Sequence, residues 1–167
     1  MHTQCGRTLI ELLIAIAIAT ILLGIGRPVI DYLLAHSRAS THISQLYQDL
    51  NYARQLAVSY QNTITVCPIN DDNRCSNQWQ HGYSVFIDTQ PKGRWNEGDE
   101  ILQQRAAIAP QDFITASRTQ VRFSSDGFTY FTGSIRYCPL QRNSELRQQV
   151  TISATGGIRY HPKPKAC

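Results

Sequence analysis

Apolar residues fill the stretch from Gly6 to Gly26, GRTLIELLIAIAIATILLGIG, and a single acid, Glu11, breaks the run. At about 1.5 Å of rise per residue, a helix over Thr8–Gly26 spans roughly 28 Å, close to the hydrocarbon thickness of a bilayer. Beyond Pro28 the pattern turns amphipathic. Ile43, Leu46, Tyr47, Leu50, Ala53, Ala57 and Tyr60 recur at spacings of three and four and share one face. Gln45, Gln48, Asp49, Asn51 and Gln55 fall mainly on the other. Both stretches read as one helix from about Thr8 to Gln61, with Gly24, Gly26 and Pro28 marking a place where it can bend or melt.

From Thr63 onward the period changes to short β-like runs. They are Ile64–Cys67, Tyr83–Ile87, Ile101–Ala106, Phe113–Ala116, Val121–Ser124, Ser134–Tyr137, Val150–Ser153 and Ile158–His161. Asp126-Gly127 and Thr155-Gly156-Gly157 are hairpin signals between them. The expected fold class is α+β, a long N-terminal helix packed on an antiparallel sheet or sandwich. Its expected divisions are a short leader (1–6), a membrane or core helix (7–27), an amphipathic half-helix (28–61) and a β-rich domain (62–167).

A lone carboxylate inside an apolar span is costly, roughly 2.5–3.5 kcal/mol on insertion scales, so Glu11 calls for a role. Gly6 followed by Thr8-Leu9-Ile10-Glu11-Leu12 resembles the N-terminus of type IV prepilins and type II secretion pseudopilins. In that family a prepilin peptidase cuts after the glycine, the new N-terminus is methylated, and the glutamate is the fifth residue of the mature chain. Counted from Arg7, Glu11 is fifth. Arg7 stands where most members have phenylalanine. Pro28 falls where many pilins carry a helix-loosening proline. The resemblance implies cleavage between Gly6 and Arg7, insertion in the inner membrane with a periplasmic domain, and assembly with other pilins or pseudopilins. Glu11 would pair with a neighbouring subunit's α-amino group. A secretory signal peptide or a plain membrane anchor is the rival reading; against a signal peptide, Glu11 interrupts the run and no A-x-A site closes it.

The order of long helix, β-rich segments and a late Ser-x-Thr-Gly-Gly-x-Arg hairpin is similar to the GspH/FimT branch of that superfamily. In its FimT-like part a C-terminal Gly-Arg-x-Arg element is associated with binding DNA during natural transformation. Here the matching run is Gly156-Gly157-Ile158-Arg159, with Gly157 in place of the first arginine.

Charge is uneven along the chain. Acids and bases balance over residues 1–137, and the whole formal excess of +4 lies in the last segment. There Arg142, Arg147, Arg159, Lys163 and Lys165 face Glu145 alone, an asymmetry that points to an anionic partner or surface; with the FimT-like resemblance, the partner implied is double-stranded DNA. A solvated basic edge that protects a strand from aggregation is the plainer alternative.

Cys5 lies in the expected leader, leaving Cys67, Cys75, Cys138 and Cys167. An even set beyond an export segment suggests two disulfides. Of the three possible pairings, Cys67–Cys75 and Cys138–Cys167 each close a local segment. No C-x-x-C spacing supports zinc, and Asn70-Asp71-Asp72-Asn73 lacks the spacing of a calcium loop. The histidines are dispersed, and no H-E-x-x-H, G-x-S-x-G or phosphate-loop motif occurs. Neither an enzyme nor a cofactor is implied. The leading function is a minor type IV pilin. The alternatives are a pseudopilin of a secretion system and, outside this class, a membrane-anchored periplasmic binding protein.

Overall fold

The computed structural model describes residues 8–162 and 164–167, without the side chains of Leu23 and residues 25–28. Gly6, Arg7 and Lys163 therefore lie outside the described residues. One helix, α1 (Leu9–Ser59), runs unbroken through Pro28, so the chain does not melt there. Over 51 residues it reaches about 77 Å. It ends as Gln61 turns left-handed at φ 50° and the Asn62 N–H reaches back to the Ala57 carbonyl.

Eight strands follow: β1 (Ile64–Cys67), β2 (Tyr83–Ile87), β3 (Ile101–Arg105), β4 (Phe113–Ala116), β5 (Val121–Phe123), β6 (Gly133–Cys138), β7 (Gln148–Ile152) and β8 (Ile158–Pro162). They form two four-stranded antiparallel sheets, ordered β3-β2-β1-β5 and β4-β6-β7-β8. Thr155-Gly156-Gly157 does make the β7–β8 hairpin, closed from Ser153 to Gly157. Asp126-Gly127 makes a tight turn but no hairpin. β5 and β6 belong to different sheets, and the turn starts the crossover between them.

Both sheets contribute to one core against α1. Ala35, Ala39, Ile43, Leu46, Leu50, Ala53 and Ala57 form the buried stripe, which from Ala39 onward packs with Ile64, Val66, Val85, Phe123, Ile135, Tyr137, Val150 and Ile152. Two expectations are corrected here. Tyr47 and Tyr60 stay 38% and 56% exposed, because they lie at the margin of the stripe rather than on it. Asp49, expected on the solvent face, is buried, since it sits three residues from Leu46 and four from Ala53. Trp79, on a 3-10 turn (Trp79–His81), also enters the core, and its indole N–H donates to the Arg118 carbonyl at 3.0 Å. β1 is buried on both faces because the 88–99 segment covers its outer side. Asp88 there accepts from the Thr65 hydroxyl, the Gly93 N–H and Arg122 Nε.

Candidate functional site

The helix changes character between Leu34 and Ala35. Every described side chain from Leu9 to Leu34 is exposed, including Ile10, Leu12, Leu13, Ile14, Val29, Ile30, Leu33 and Leu34, whereas Ala35 is fully buried. An apolar surface of this length exceeds what a monomer in water leaves uncovered. Glu11 lies in the first turn of α1, where a carboxylate complements the helix dipole. The ion pairs among the described residues do not include it. Among those residues no helix is long and apolar enough to cross a membrane. The run expected to do so includes Leu23 and residues 25–28, whose side chains lie outside that description.

Polar clamps that the sequence did not disclose fix the domain on the second half of the helix. At the lower end, Arg38 Nε and Nη2 donate to Asp112 at 2.8 and 3.2 Å, and Asp112 also accepts from the Tyr137 hydroxyl and the Leu140 N–H. Burial pushes the Asp112 carboxyl up, but the bonds from Arg38, Tyr137 and Leu140 outweigh it and hold the group below its ordinary value. His42 stacks on Tyr137 at 5.1 Å, and burial lowers its basicity. Midway, Arg105 makes a bidentate pair with Asp49, both bonds at 2.8 Å, and the Tyr83 hydroxyl donates to the same carboxylate. Burial, with Asp49 beside it, raises the Tyr83 phenol well above its ordinary range. At the upper end, Arg54 donates to the carbonyls of Gly127 and Thr155. The one signal for these clamps was spacing. Asp49 lies on the buried stripe, and Arg38 lies three residues from Ala35 and four from His42.

Disulfides join Cys67–Cys75 and Cys138–Cys167. The first closes the loop holding Asn70-Asp71-Asp72-Asn73, where Asn70 Oδ1 accepts from the Arg74 N–H in a plain turn. No group of three or more His, Cys, Asp or Glu side chains among the described residues is placed to hold a metal.

Of the five basic residues read as one patch, Lys163 lies outside the described residues, and the other four divide into two groups. Arg147 donates from Nε to the Pro164 carbonyl and from Nη1 to those of Asn143 and Ser144, with Glu145 at 3.7 Å. Arg142 lies over the Phe113 ring at 4.8 Å and donates to the Cys167 carbonyl, while the Cys167 N–H returns to the Arg142 carbonyl. With Arg136 reaching the Ala166 carbonyl, these arginines and the disulfide hold the C-terminal segment in place. Lys165, within that segment, is exposed.

Arg159 is elsewhere. Ile135, Tyr137, Val150 and Ile152 point to the core, so Ser134, Arg136, Gln149, Thr151, Arg159 and His161 share the outer face of their sheet. Arg136 donates to Gln149 Oε1 at 2.8 Å, and Thr151 Oγ1 meets His161 Nε2 at 2.9 Å. None of the four strands of this sheet carries a carboxylate.

The family model described as Type II transport protein GspH matches residues 42–156, and that of the prokaryotic N-terminal methylation motif matches residues 1–26. No curated protein sequence matches the chain. Among solved structures, the type IV minor pilin FimU of Pseudomonas aeruginosa is 20% identical at a TM-score of 0.59, covering 78% of this chain and 93% of that one. The minor pseudopilin EpsH from the type 2 secretion system of Vibrio cholerae is 15% identical at a TM-score of 0.57, covering 75% of this chain and 97% of that one. At these identities the likeness is one of fold, and it matches the long helix packed on antiparallel sheets. The family model spans most of the β-rich domain and the helix beneath it, and the chain belongs to the GspH family of type IV pilin-like proteins.

Proposed function

We propose that this chain is a minor subunit of a type IV pilus-like filament, with a structural rather than a catalytic role. A leader, residues 1–6, is removed between Gly6 and Arg7 by prepilin peptidase, and residues 7–27 anchor the chain in the inner membrane until it enters the filament. The helical half 28–61 carries the periplasmic domain, 62–167. The observation that carries the reading is the exposed apolar half of α1, with Glu11 near its start and no cover from the chain's own domain. A bilayer covers such a surface before assembly, and the helices of neighbouring pilins or pseudopilins cover it afterwards. In the second setting Glu11 meets a neighbour's α-amino group, and breaking one such buried pair costs about 3–5 kcal/mol. Glu11→Ala tests this. The variant keeps its place in the membrane fraction, because the span becomes more apolar, but is strongly depleted from sheared filaments. Incorporation equal to wild type overturns the role of the charge.

A second reading adds nucleic acid as a partner, and it is favoured by the carboxylate-free outer face carrying Arg136, Arg159 and His161. Double-stranded DNA would be held there through its phosphates, without sequence preference. Arg159→Gln lowers affinity and flattens the salt slope by about one unit, while Arg74→Gln, on the loop closed by Cys67–Cys75, changes neither. Anisotropy titrations at two salt concentrations read both effects, and equal losses at the two positions would remove DNA from the account.

A further inference from the structure

The lower end of the domain is defined by its contacts with α1. Arg38 reaches Asp112, His42 stacks on Tyr137, and the Leu140 N–H completes the Asp112 cluster. The end of β6, the start of β7 and the end of β8 therefore lie at this end, and so does the C-terminal segment bound to Cys138 and Arg147. The upper end is marked by Arg54 at Gly127 and Thr155, about 24 Å further along the helix.

The exposed part of the helix, Leu9–Leu34, is about 39 Å long. A bilayer including its headgroup layers measures about 40–45 Å. This inference rests on the membrane anchoring proposed above. With the helix inserted, it leaves no spacer between the lipid surface and the domain. Val29, Ile30, Tyr32, Leu33 and Leu34 carry the apolar surface up to Ala35, where the domain begins.

What the domain presents at that level is exposed Arg142, exposed Lys165 and partly covered Arg147, together with Leu140, 43% exposed and held at φ 64°. Among the described residues the acids at this end are Glu145, which stands by Arg147, and Asp112, which is enclosed in its cluster; Asp31 and His36 lie on the adjoining helix. Arg142 is fixed by its stack on Phe113 and by the Cys167 carbonyl, so its guanidinium is held in place before any ligand arrives.

We propose that this lower end is a contact for anionic phospholipid, with Arg142 and Lys165 taking headgroup phosphates and Leu140 reaching the interface. The contact holds the domain against the membrane before the subunit is drawn into a filament, and it must be released on extraction. The C-terminal disulfide and the arginine clasp then have a use, because they fix Lys165 on the membrane side. Near an anionic surface each basic side chain contributes about fivefold in occupancy.

The chain has three lysines, Lys92, Lys163 and Lys165, which makes amine labelling a direct test. Lys92 donates to Thr63 Oγ1, just past the upper end of α1, and serves as the control. The full-length protein is reconstituted in vesicles of phosphatidylcholine alone, and of phosphatidylcholine with phosphatidylglycerol. It is treated with a water-soluble amine-reactive ester and mapped by mass spectrometry. The expected result is labelling of Lys165 slowed about fivefold in the anionic vesicles only, with Lys92 unchanged and the protection lost at high salt. Arg142→Gln, with the Cys138–Cys167 bond confirmed by peptide mapping, reduces the protection. Equal labelling of Lys165 in both vesicles overturns the proposal while leaving anchoring intact. A chain that floats with neither vesicle overturns anchoring and this contact with it. Protection of Lys165 by a DNA duplex in the neutral vesicles, with none from phosphatidylglycerol, assigns these residues to nucleic acid and also overturns it.

Discussion

Replacing Arg38 by Gln removes the cation from the lower clamp and leaves the Asp112 carboxylate, 0% exposed, with only the Tyr137 hydroxyl and the Leu140 N–H. Breaking a fully buried pair costs about 3–5 kcal/mol. The Arg38 side chain is 26% exposed and two donors remain, so about 2–3 kcal/mol is the expected loss. For a domain of this size that lowers the melting temperature by about 6–15 °C. The pH dependence follows from Asp112. Its folded pKa is depressed, so its contribution is present above the ordinary carboxylate range and lost as pH falls through the lower folded value. Without Arg38, burial dominates and the loss moves to higher pH. Thermal unfolding of the detergent-solubilised chain, followed by near-UV circular dichroism from buried Trp79, measures both effects. A stability within about 0.5 kcal/mol of wild type, with an unchanged acid limb, refutes the clamp as what seats the domain on its helix.

Two further outcomes follow from the geometry. Cys138→Ser opens a crosslink spanning 29 residues, which lowers stability by about 3–4 kcal/mol in the chain-entropy account, and proteolysis then trims the chain beyond Pro162 first. Gly156→Ala disturbs the upper end, because Gly156 has φ 72° and a Cβ there would lie 2.0 Å from the Gly127 carbonyl oxygen. A loss of about 1–3 kcal/mol with the lower clamp unaffected is expected, read as a lower urea midpoint.

The apolar run, the amphipathic stripe and the β-runs were legible because each is a local period. β1, β2 and β4 have the bounds that alternation and turn residues predict, and the two disulfides close local segments as the spacing suggests. What escaped depends on partners distant in the chain. Asp49 meets Arg105 and Tyr83, and Arg38 meets Asp112, 74 positions away. Nothing local distinguishes these residues from solvated charges except their place on the helical stripe. The basic C-terminal residues show the same limit. Charge counting groups Arg142, Arg147 and Arg159, but backbone carbonyls occupy Arg147, a ring and a carbonyl hold Arg142, and the strand alternation sends Arg159 to the outer sheet face. The crossover after Gly127 was hidden for a related reason. A tight turn looks the same in sequence whether the next strand returns to the same sheet or joins another.

The central claim is that this GspH-family chain is processed and anchored as a filament subunit, and the mass of its N-terminus tests that most directly. Intact-mass analysis of the membrane-extracted protein should give a chain beginning at Arg7, with its α-amino group methylated and with Glu11 as its fifth residue. A chain beginning near Arg27 would identify a secretory signal. A chain that keeps residues 1–6 in the presence of an active prepilin peptidase would identify a plain anchor. Either result contradicts the account.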